Sequence, residues 1–224
     1  RTNKKIAILG GGSWGTALAV VCAKKNFVRV WEIDEKVVDD VNMNRTNSRY
    51  IPGVKIPDEV VFHKDMADVL SDKPDIIIFA VPSHAVRSVA EIAASKVKRK
   101  AVILSCTKGL EEGTYLRMSQ VITKCMPKTY PVIPLSGPTH AEEVAIGLPS
   151  AIVAASRKKK MTSFIQNAIS TPTLRLYTNT DIVGVEYAAS LKNIIAIAAG
   201  IAEGLGYGDN TKSALITRGL AEMV

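Results

Sequence analysis

The sequence predicts an α/β fold: a mostly parallel sheet with helices on both faces, followed by the start of an all-helical region. Three observations predict it. Short, uniformly apolar runs recur, such as KIAIL (Lys5 to Leu9), DIIIFAV (Asp75 to Val81) and AVILSC (Ala101 to Cys106), as expected of strands buried on both faces. Helix-patterned segments separate them, so the strands run parallel through helical crossovers. After about Asp181 the alternation stops. Val183 to Gly204 is Ala-rich and apolar almost all round, as in a helix buried in a helical domain or an interface.

The elements follow in order. Lys5 to Leu9 is a strand and Thr16 to Lys25 an Ala-rich helix. Val28 to Ile33 is a second strand. Glu35 to Asn42 is a helix with apolar positions at Val37, Val38 and Val41. A polar loop, NRTNSRYIPG (Asn44 to Gly53), leads to a short strand at Val60 to Phe62 and a short helix at Met66 to Leu70. The strand Asp75 to Val81 is stopped by Pro82, which cannot donate to a ladder. His84 to Ala94 is helical, Ala101 to Cys106 a strand, and Leu116 to Met126 an amphipathic helix. Val132 to Ser136 and Ala151 to Ala154 are strands joined by GPTHAEEVAIG, and Thr162 to Ser170 is a helix. A boundary near Thr178 to Asp181 divides the chain into 1–180 and 181–224. The chain opens without Met and stops inside the helix-like ITRGLAEMV, so the helical part is expected to be truncated.

Composition narrows the function. The 224 residues are 47% hydrophobic but only 5% aromatic, so the core must be aliphatic and Ala-rich. No apolar run approaches the length of a membrane span; the longest candidate is Ile194 to Ile201. The basic start, Arg1 to Lys5, leads straight into a strand without a signal-peptide pattern. Cys22, Cys106 and Cys125 have neither metal-ligand nor disulfide spacing, so a soluble cytoplasmic protein without a metal site or membrane insertion is expected. The net charge of +8 clusters at Lys96 to Lys100 and Arg157 to Lys160. Without interleaved aromatics these runs read as solvated ends rather than a nucleic-acid surface, and a small anionic ligand suits the charge equally well.

Gly10 to Gly15 reads GGGSWG, so Gly10, Gly12 and Gly15 fit G-x-G-x-x-G. The motif alone is weak, but here it follows a buried strand and opens a helix, as a Rossmann-type dinucleotide fold requires. Gly10 permits the tight turn, Gly12 lets a pyrophosphate approach the backbone, and Gly15 lets the helix pack on the strand. The helix amides then face the phosphates. The second strand ends in Val30-Trp31-Glu32-Ile33-Asp34. An acidic residue there accepts hydrogen bonds from the adenosine ribose and repels a 2′-phosphate. Glu32 fits best and Asp34 is the alternative, which favours NAD as cofactor. Arg45 and Arg49 in the next loop could take a 2′-phosphate, so NADP stays open.

Ligands of open parallel sheets lie beyond the carboxyl ends of the strands. That places Lys108 of Thr107-Lys108-Gly109 at the cleft, opposite Gly137-Pro138-Thr139-His140. The helical region carries Ser190-Leu191-Lys192-Asn193, polar residues in an Ala- and Ile-rich helix. A lysine there needs a partner or a purpose, and partial burial would lower its pKa into the range of an acid–base catalyst. Pairing with Glu186, or snorkelling to the surface, is the plain alternative.

Taken together these segments resemble the NAD-dependent glycerol-3-phosphate dehydrogenase family. The resemblance runs through GGGSWGTALA, NRTNSRYIPG, FAVPSHAVR, SCTKGLE, LSGPTHAEEVAIGLPSA, SLKNIIAIAAGIAEGLGYGDN and ALITRGLAEM. It implies an oxidoreductase that interconverts dihydroxyacetone phosphate and sn-glycerol 3-phosphate with NAD(H) or NADP(H), linking glycolysis to glycerophospholipid synthesis. By the same resemblance Lys192 is the catalytic acid/base, and Lys108 is the second active-site lysine, near both cofactor and substrate. Ser13, Trp14 and Ala141 are cofactor contacts, with Tyr50 a further candidate. Gly137 and Thr139 line the substrate site, and Asn193 orients the substrate. His140 is given no chemistry. The family is commonly homodimeric, and the Ile194 to Ile201 helix would suit an interface or a core. The family's downstream Asp and its phosphate-gripping Arg-Asn pair lie beyond Val224, so this chain is expected to bind cofactor without turning over substrate. A related two-domain dehydrogenase of a hydroxy acid, an imine or a nucleotide sugar is the alternative. A non-catalytic NAD(H)-binding regulator is a further one.

Overall fold

A computed structural model describes residues 3–223. Among them lie eight strands in one sheet, in the order β3-β2-β1-β4-β5-β6-β7-β8. The first half comprises β1 (Lys5–Leu9), α1 (Ser13–Ala23), β2 (Phe27–Trp31), α2 (Glu35–Asn44), β3 (Val60–His63), α3 (Met66–Ser71) and β4 (Ile76–Phe79). A single 3-10 turn, Ser83–Ala85, precedes α4 (Val86–Lys96), which the sequence had read as one helix. Then come β5 (Val102–Ser105), α5 (Met118–Cys125), β6 (Val132–Ser136), α6 (Ala141–Ile146), β7 (Ser150–Ala155), α7 (Lys159–Ile169) and β8 (Leu174–Asn179). Two helices follow, α8 (Ile182–Gly204) and α9 (Asp209–Met223).

The first six strands, β3-β2-β1-β4-β5-β6, have the doubly wound order with β1 and β4 adjacent, which opens a crevice at their carboxyl ends. In β1 alternate side chains serve opposite faces. Ile6 and Ile8 join a core with α1, α2 and α7, while Ala7 and Leu9 join one with α3, α4 and α5. Both faces are therefore covered, which is why these strands read as unbroken apolar runs. Truncating a fully buried side chain such as Ile77 should cost about 2–5 kcal/mol.

The outer part of the sheet departs from the sequence expectation in two places. β6 pairs antiparallel with β7, and β7 pairs parallel with β8; neither β8 nor the short helix α6 was anticipated. β8 is an edge strand that buries only Leu174 and Leu176, so its apolar signal is two residues long.

α8 corrects two further expectations. Its extent, Ile182–Gly204, agrees with the helix expected over Val183 to Gly204, but by length and composition it passes for a membrane span, where the sequence suggested only a short apolar run. It is also not buried all round: Glu186, Ala189 and Ala202 are buried, while Ile194, Ile197 and Ile201 are each about 60% exposed. Its start is soldered to α5 by Glu186, which is 7% exposed, and its side chains Val185, Ala188 and Ala189 line a cleft against the sheet.

Candidate active site

The β1–α1 turn has the geometry that its glycines demand. Gly10 has φ +107°, and a Cβ there would lie 2.7 Å from the Ala80 carbonyl oxygen on the neighbouring strand end. A Cβ on Gly15 would come within 1.8 Å of the Gly10 carbonyl oxygen, so only glycine lets α1 start this close to β1. Gly12 differs, because its Cβ would meet nothing within 4 Å. That position faces open space at the amino end of α1, which has no side-chain cap. Uncapped first-turn amides beside an open backbone suit an anionic diphosphate.

The turn is braced by residues outside the motif. The side-chain nitrogen of Asn47, a fully buried residue, donates to the Gly11 carbonyl and to Thr16 Oγ1, at 2.9 Å each. Its oxygen accepts the Tyr50 amide at 3.2 Å. Thr16 in turn donates to the Gly11 carbonyl, and Ser13 Oγ donates to the Tyr50 carbonyl at 2.7 Å. The NRTNSRYIPG loop is thereby fastened to the glycine turn, and it brings half-buried Tyr50 beside Ser13. Trp14 packs against the same core as Ala141, because α6 lies on α1.

Glu32 is buried at the end of β2, and its two oxygens accept the Gly11 and Asp34 amides at 2.8 and 3.0 Å. Its carboxylate thus holds the turn together. Asp34 caps α2 through the Lys36 amide and pairs with Arg49. Arg45 is engaged elsewhere, with the Val60 carbonyl and Asp58. Of the two arginines weighed from the sequence, only Arg49 stands at the end of β2.

On the other side of the crevice, Lys108, Gly137, Thr139, His140 and Lys192 line one cleft of about 670 Å³. Lys108 follows β5, and the Gly137–His140 turn follows β6. Lys192 reaches in from α8. Burial, and then the positive charge of Lys192, hold the Lys108 amine below the usual lysine value. The partial burial expected of Lys192 is not found, because its side chain is exposed. The Lys192 ammonium donates to Asn193 Oδ1 at 3.1 Å. Asn193 lies beside the cleft lysine rather than among the lining residues. Gly137 has a structural reason as well, because a Cβ there would sit 2.6 Å from the Ala151 carbonyl oxygen of β7.

Glu186 does not pair with Lys192. Its carboxylate is buried against the end of α5, where it pairs with Arg117 and accepts the Ser119 amide and hydroxyl at 2.9 and 2.6 Å. Sequence reasoning missed Arg117, Ser119 and Asn47. The Arg117–Glu186 pair spans 69 positions, so no local pattern announces it; Asn47 sits in a loop that reads only as polar.

Residues 5–162 match the model of the NAD-dependent glycerol-3-phosphate dehydrogenase N-terminus, and residues 181–224 match that of its C-terminus. The chain belongs to the NAD-dependent glycerol-3-phosphate dehydrogenase family. It is 46% identical over 220 residues to a glycerol-3-phosphate dehydrogenase (NAD(P)+) of Clostridium botulinum, covering 98% of this chain and 66% of that protein. The corresponding figures for the Halothermothrix orenii enzyme of the same name are 47% identity over 225 residues, 99% and 64%. The crystal structure of glycerol-3-phosphate dehydrogenase from Coxiella burnetii superimposes with a TM-score of 0.90 at 37% identity, covering all of this chain and 68% of that one. The chain thus spans about two thirds of the length of these family members.

Proposed function

We propose that residues 1–180 are the dinucleotide-binding domain, and 181–224 the start of the helical substrate domain, of a cytoplasmic enzyme. That enzyme interconverts dihydroxyacetone phosphate and sn-glycerol 3-phosphate with NAD(H), and NADP(H) remains open to it. The observation that carries this reading is the cleft itself. Two amines, Lys108 and Lys192, reach one cavity from opposite sides of the sheet–helix junction, next to the Gly137–His140 turn. Two ammonium groups suit a phosphorylated, dianionic substrate, and the relatives' names specify both the reaction and the cofactor pair.

Gly12, Ser13, Trp14 and Gly15 at the start of α1 would hold the pyrophosphate, with Tyr50 and Ala141 flanking the nicotinamide half. Bound in that way, reduced nicotinamide supplies the hydride that the C2 carbonyl carbon receives. The Lys192 ammonium donates the proton to the C2 oxygen, and the amine it leaves is reprotonated from solvent. Such general acid catalysis is worth ~10²–10⁴-fold. Lys108 stabilises the charge developing on the same oxygen, a contribution of ~10²–10³-fold for a well-aimed donor. Gly137 and Thr139 line the substrate side, and Asn193 orients the Lys192 amine through the hydrogen bond it accepts.

The test is turnover of dihydroxyacetone phosphate by the full-length polypeptide, followed by NADH absorbance. Lys192→Ala should lower kcat by ~10²–10⁴-fold while the Kd for NADH stays within about twofold. Near-normal turnover in that variant removes Lys192 from the chemistry. Absence of turnover in the parent protein, with a hydroxy acid or nucleotide sugar accepted instead, overturns the substrate assignment. A homodimer is the assembly that goes with this reading, supported by the exposed Ile194, Ile197 and Ile201 and checked by light scattering.

A further inference from the structure

We infer that Glu186, Arg117, Ser119 and Ser190 form a clamp that sets the register of α8 against the nucleotide-binding domain and so positions Lys192 opposite Lys108. The inference rests on the proposed function. It concerns positioning residues rather than groups that touch substrate.

The clamp has two points, both on one face of α8. At the first, the Glu186 carboxylate occupies the amino end of α5. It accepts the Ser119 amide, one of the first-turn N–H groups that no helical carbonyl can serve, together with the Ser119 hydroxyl and the Arg117 guanidinium. A residue of the second domain therefore caps a helix of the first. Burying a carboxylate is costly unless it is paired and hydrogen-bonded, and here three donors at one helix end fix where it must sit. At the second point, Ser190 Oγ accepts the Gly109 amide at 3.1 Å and donates to the Glu186 carbonyl at 2.8 Å. Gly109 is the residue after Lys108. The anchor thus lies next to both ends of the arrangement that matters, with Lys108 one position before Gly109 and Lys192 two positions beyond Ser190.

Helix geometry explains why two points suffice. Glu186 and Ser190 are four residues apart and share a face. A slip of one residue would turn α8 by about 100° and move it about 1.5 Å along its axis, which would break both contacts and carry Lys192 away from the cleft. Apolar packing alone would not exclude such slips, because this part of α8 presents chiefly small residues to the domain: Ala188 and Ala189 line the cleft beside Val185. The polar clamp selects one register, the use of buried polar groups that is best attested.

The experiment compares the full-length parent protein with Glu186→Ala and Ser190→Ala. It reads kcat and KM for dihydroxyacetone phosphate and the Kd for NADH. It also reads the yield of the Lys108–Lys192 peptide pair after reaction with a short amine-to-amine cross-linker, quantified by mass spectrometry. The expected result is a kcat lowered at least tenfold in Glu186→Ala and severalfold in Ser190→Ala, with NADH affinity within twofold and the cross-linked pair depleted in both. A merely structural role would lower stability without separating kcat from NADH binding. If Glu186→Ala does not fold, Ser190→Ala, which leaves no buried charge unpaired, decides the matter alone. Unchanged kcat and cross-linking in the variants, with an active parent, overturn the inference. A parent that turns over no dihydroxyacetone phosphate, yet loses the cross-link on substitution, sinks the proposed function and leaves the clamp standing.

Discussion

Replacing Asn47 by Ala tests whether the loop after α2 is part of the nucleotide site or only covers it. The side chain is fully buried and makes three hydrogen bonds. Two of its partners keep a second bond, since Thr16 Oγ1 donates to the Gly11 carbonyl. The Tyr50 amide is the group left with nothing in its place; it is part-buried, so its loss falls at the low end of the cost of an orphaned donor, about 1 kcal/mol. Adding the lost net value of the other two bonds, about 0.5–1.5 kcal/mol each, gives a destabilisation of about 3 kcal/mol. For a chain of this size that lowers Tm by about 6–12 °C, read by circular dichroism. Because Ser13 hangs on the Tyr50 carbonyl, NADH affinity, followed by fluorescence titration, should fall by about tenfold, equivalent to about 1.4 kcal/mol. Asn47→Asp keeps the acceptor for Tyr50 but turns a carboxylate oxygen towards the Gly11 carbonyl, so it should be at least as damaging. A Tm within 2 °C of the parent in Asn47→Ala would refute the brace. A large fall in Tm with unaltered NADH affinity would detach the brace from the site.

Three further outcomes follow from the same geometry. Gly15→Ala and Gly12→Ala should part company. The first forces a contact of 1.8 Å and should cost about 1–3 kcal/mol or more in denaturant unfolding, whereas the second has open space and should weaken NADH binding with little change in stability. Arg49→Ala should weaken NADPH binding about tenfold and leave NADH binding intact, since Arg49 is the guanidinium at the end of β2 and its partner Asp34 would then face the ribose alone; equal losses for both cofactors would refute this. Lys192→Met should raise the pKa of Lys108, read from the pH dependence of amine labelling, but not to the ordinary lysine value, because burial is the larger cause of its lowering. The sign is that of a depressed amine. The folded state holds this proton less tightly than the unfolded chain, so its contribution favours folding increasingly as pH rises through the folded pKa towards about 10.5, and removing Lys192 should shrink that rise.

The legibility of this fold followed burial. β1, β4 and β5 are covered on both faces, and their unbroken apolar runs were readable to within about two residues. β8 has one solvated face and alternates as LRLYTN, a pattern shared with many loops, and it went unread. The glycine turn was readable because its positions are set by backbone clashes that admit one residue type. The topological rule about strand ends placed Lys108 at the cleft, whereas the arrival of Lys192 beside it was legible only through the family resemblance and not from any local spacing. The sequence singled out Glu32 as a ribose contact, and its carboxylate serves the Gly11 and Asp34 amides of the turn. What specifies a ribose contact and what stabilises a turn use the same acidic residue type, so sequence cannot separate them.

Glu186 and Lys192 of α8 show most clearly what sequence reasoning lacks. A lysine and a glutamate six positions apart in an apolar helix invite an ion pair, yet six positions place them on different faces of a 3.6-residue helix. The carboxylate, being buried, had to find donors, and it found them at the start of α5. The ammonium, being exposed, needed no carboxylate, and among the described residues none pairs with it. That division matters for the proposed chemistry. A lysine neutralised by Glu186 would hold its proton against transfer, and a buried Glu186 without Arg117 would pull the helix out of place. By giving Glu186 a partner beside α5, the fold both docks the helix and leaves the Lys192 side chain at the cleft without a carboxylate partner among the described residues, as the proposed chemistry requires.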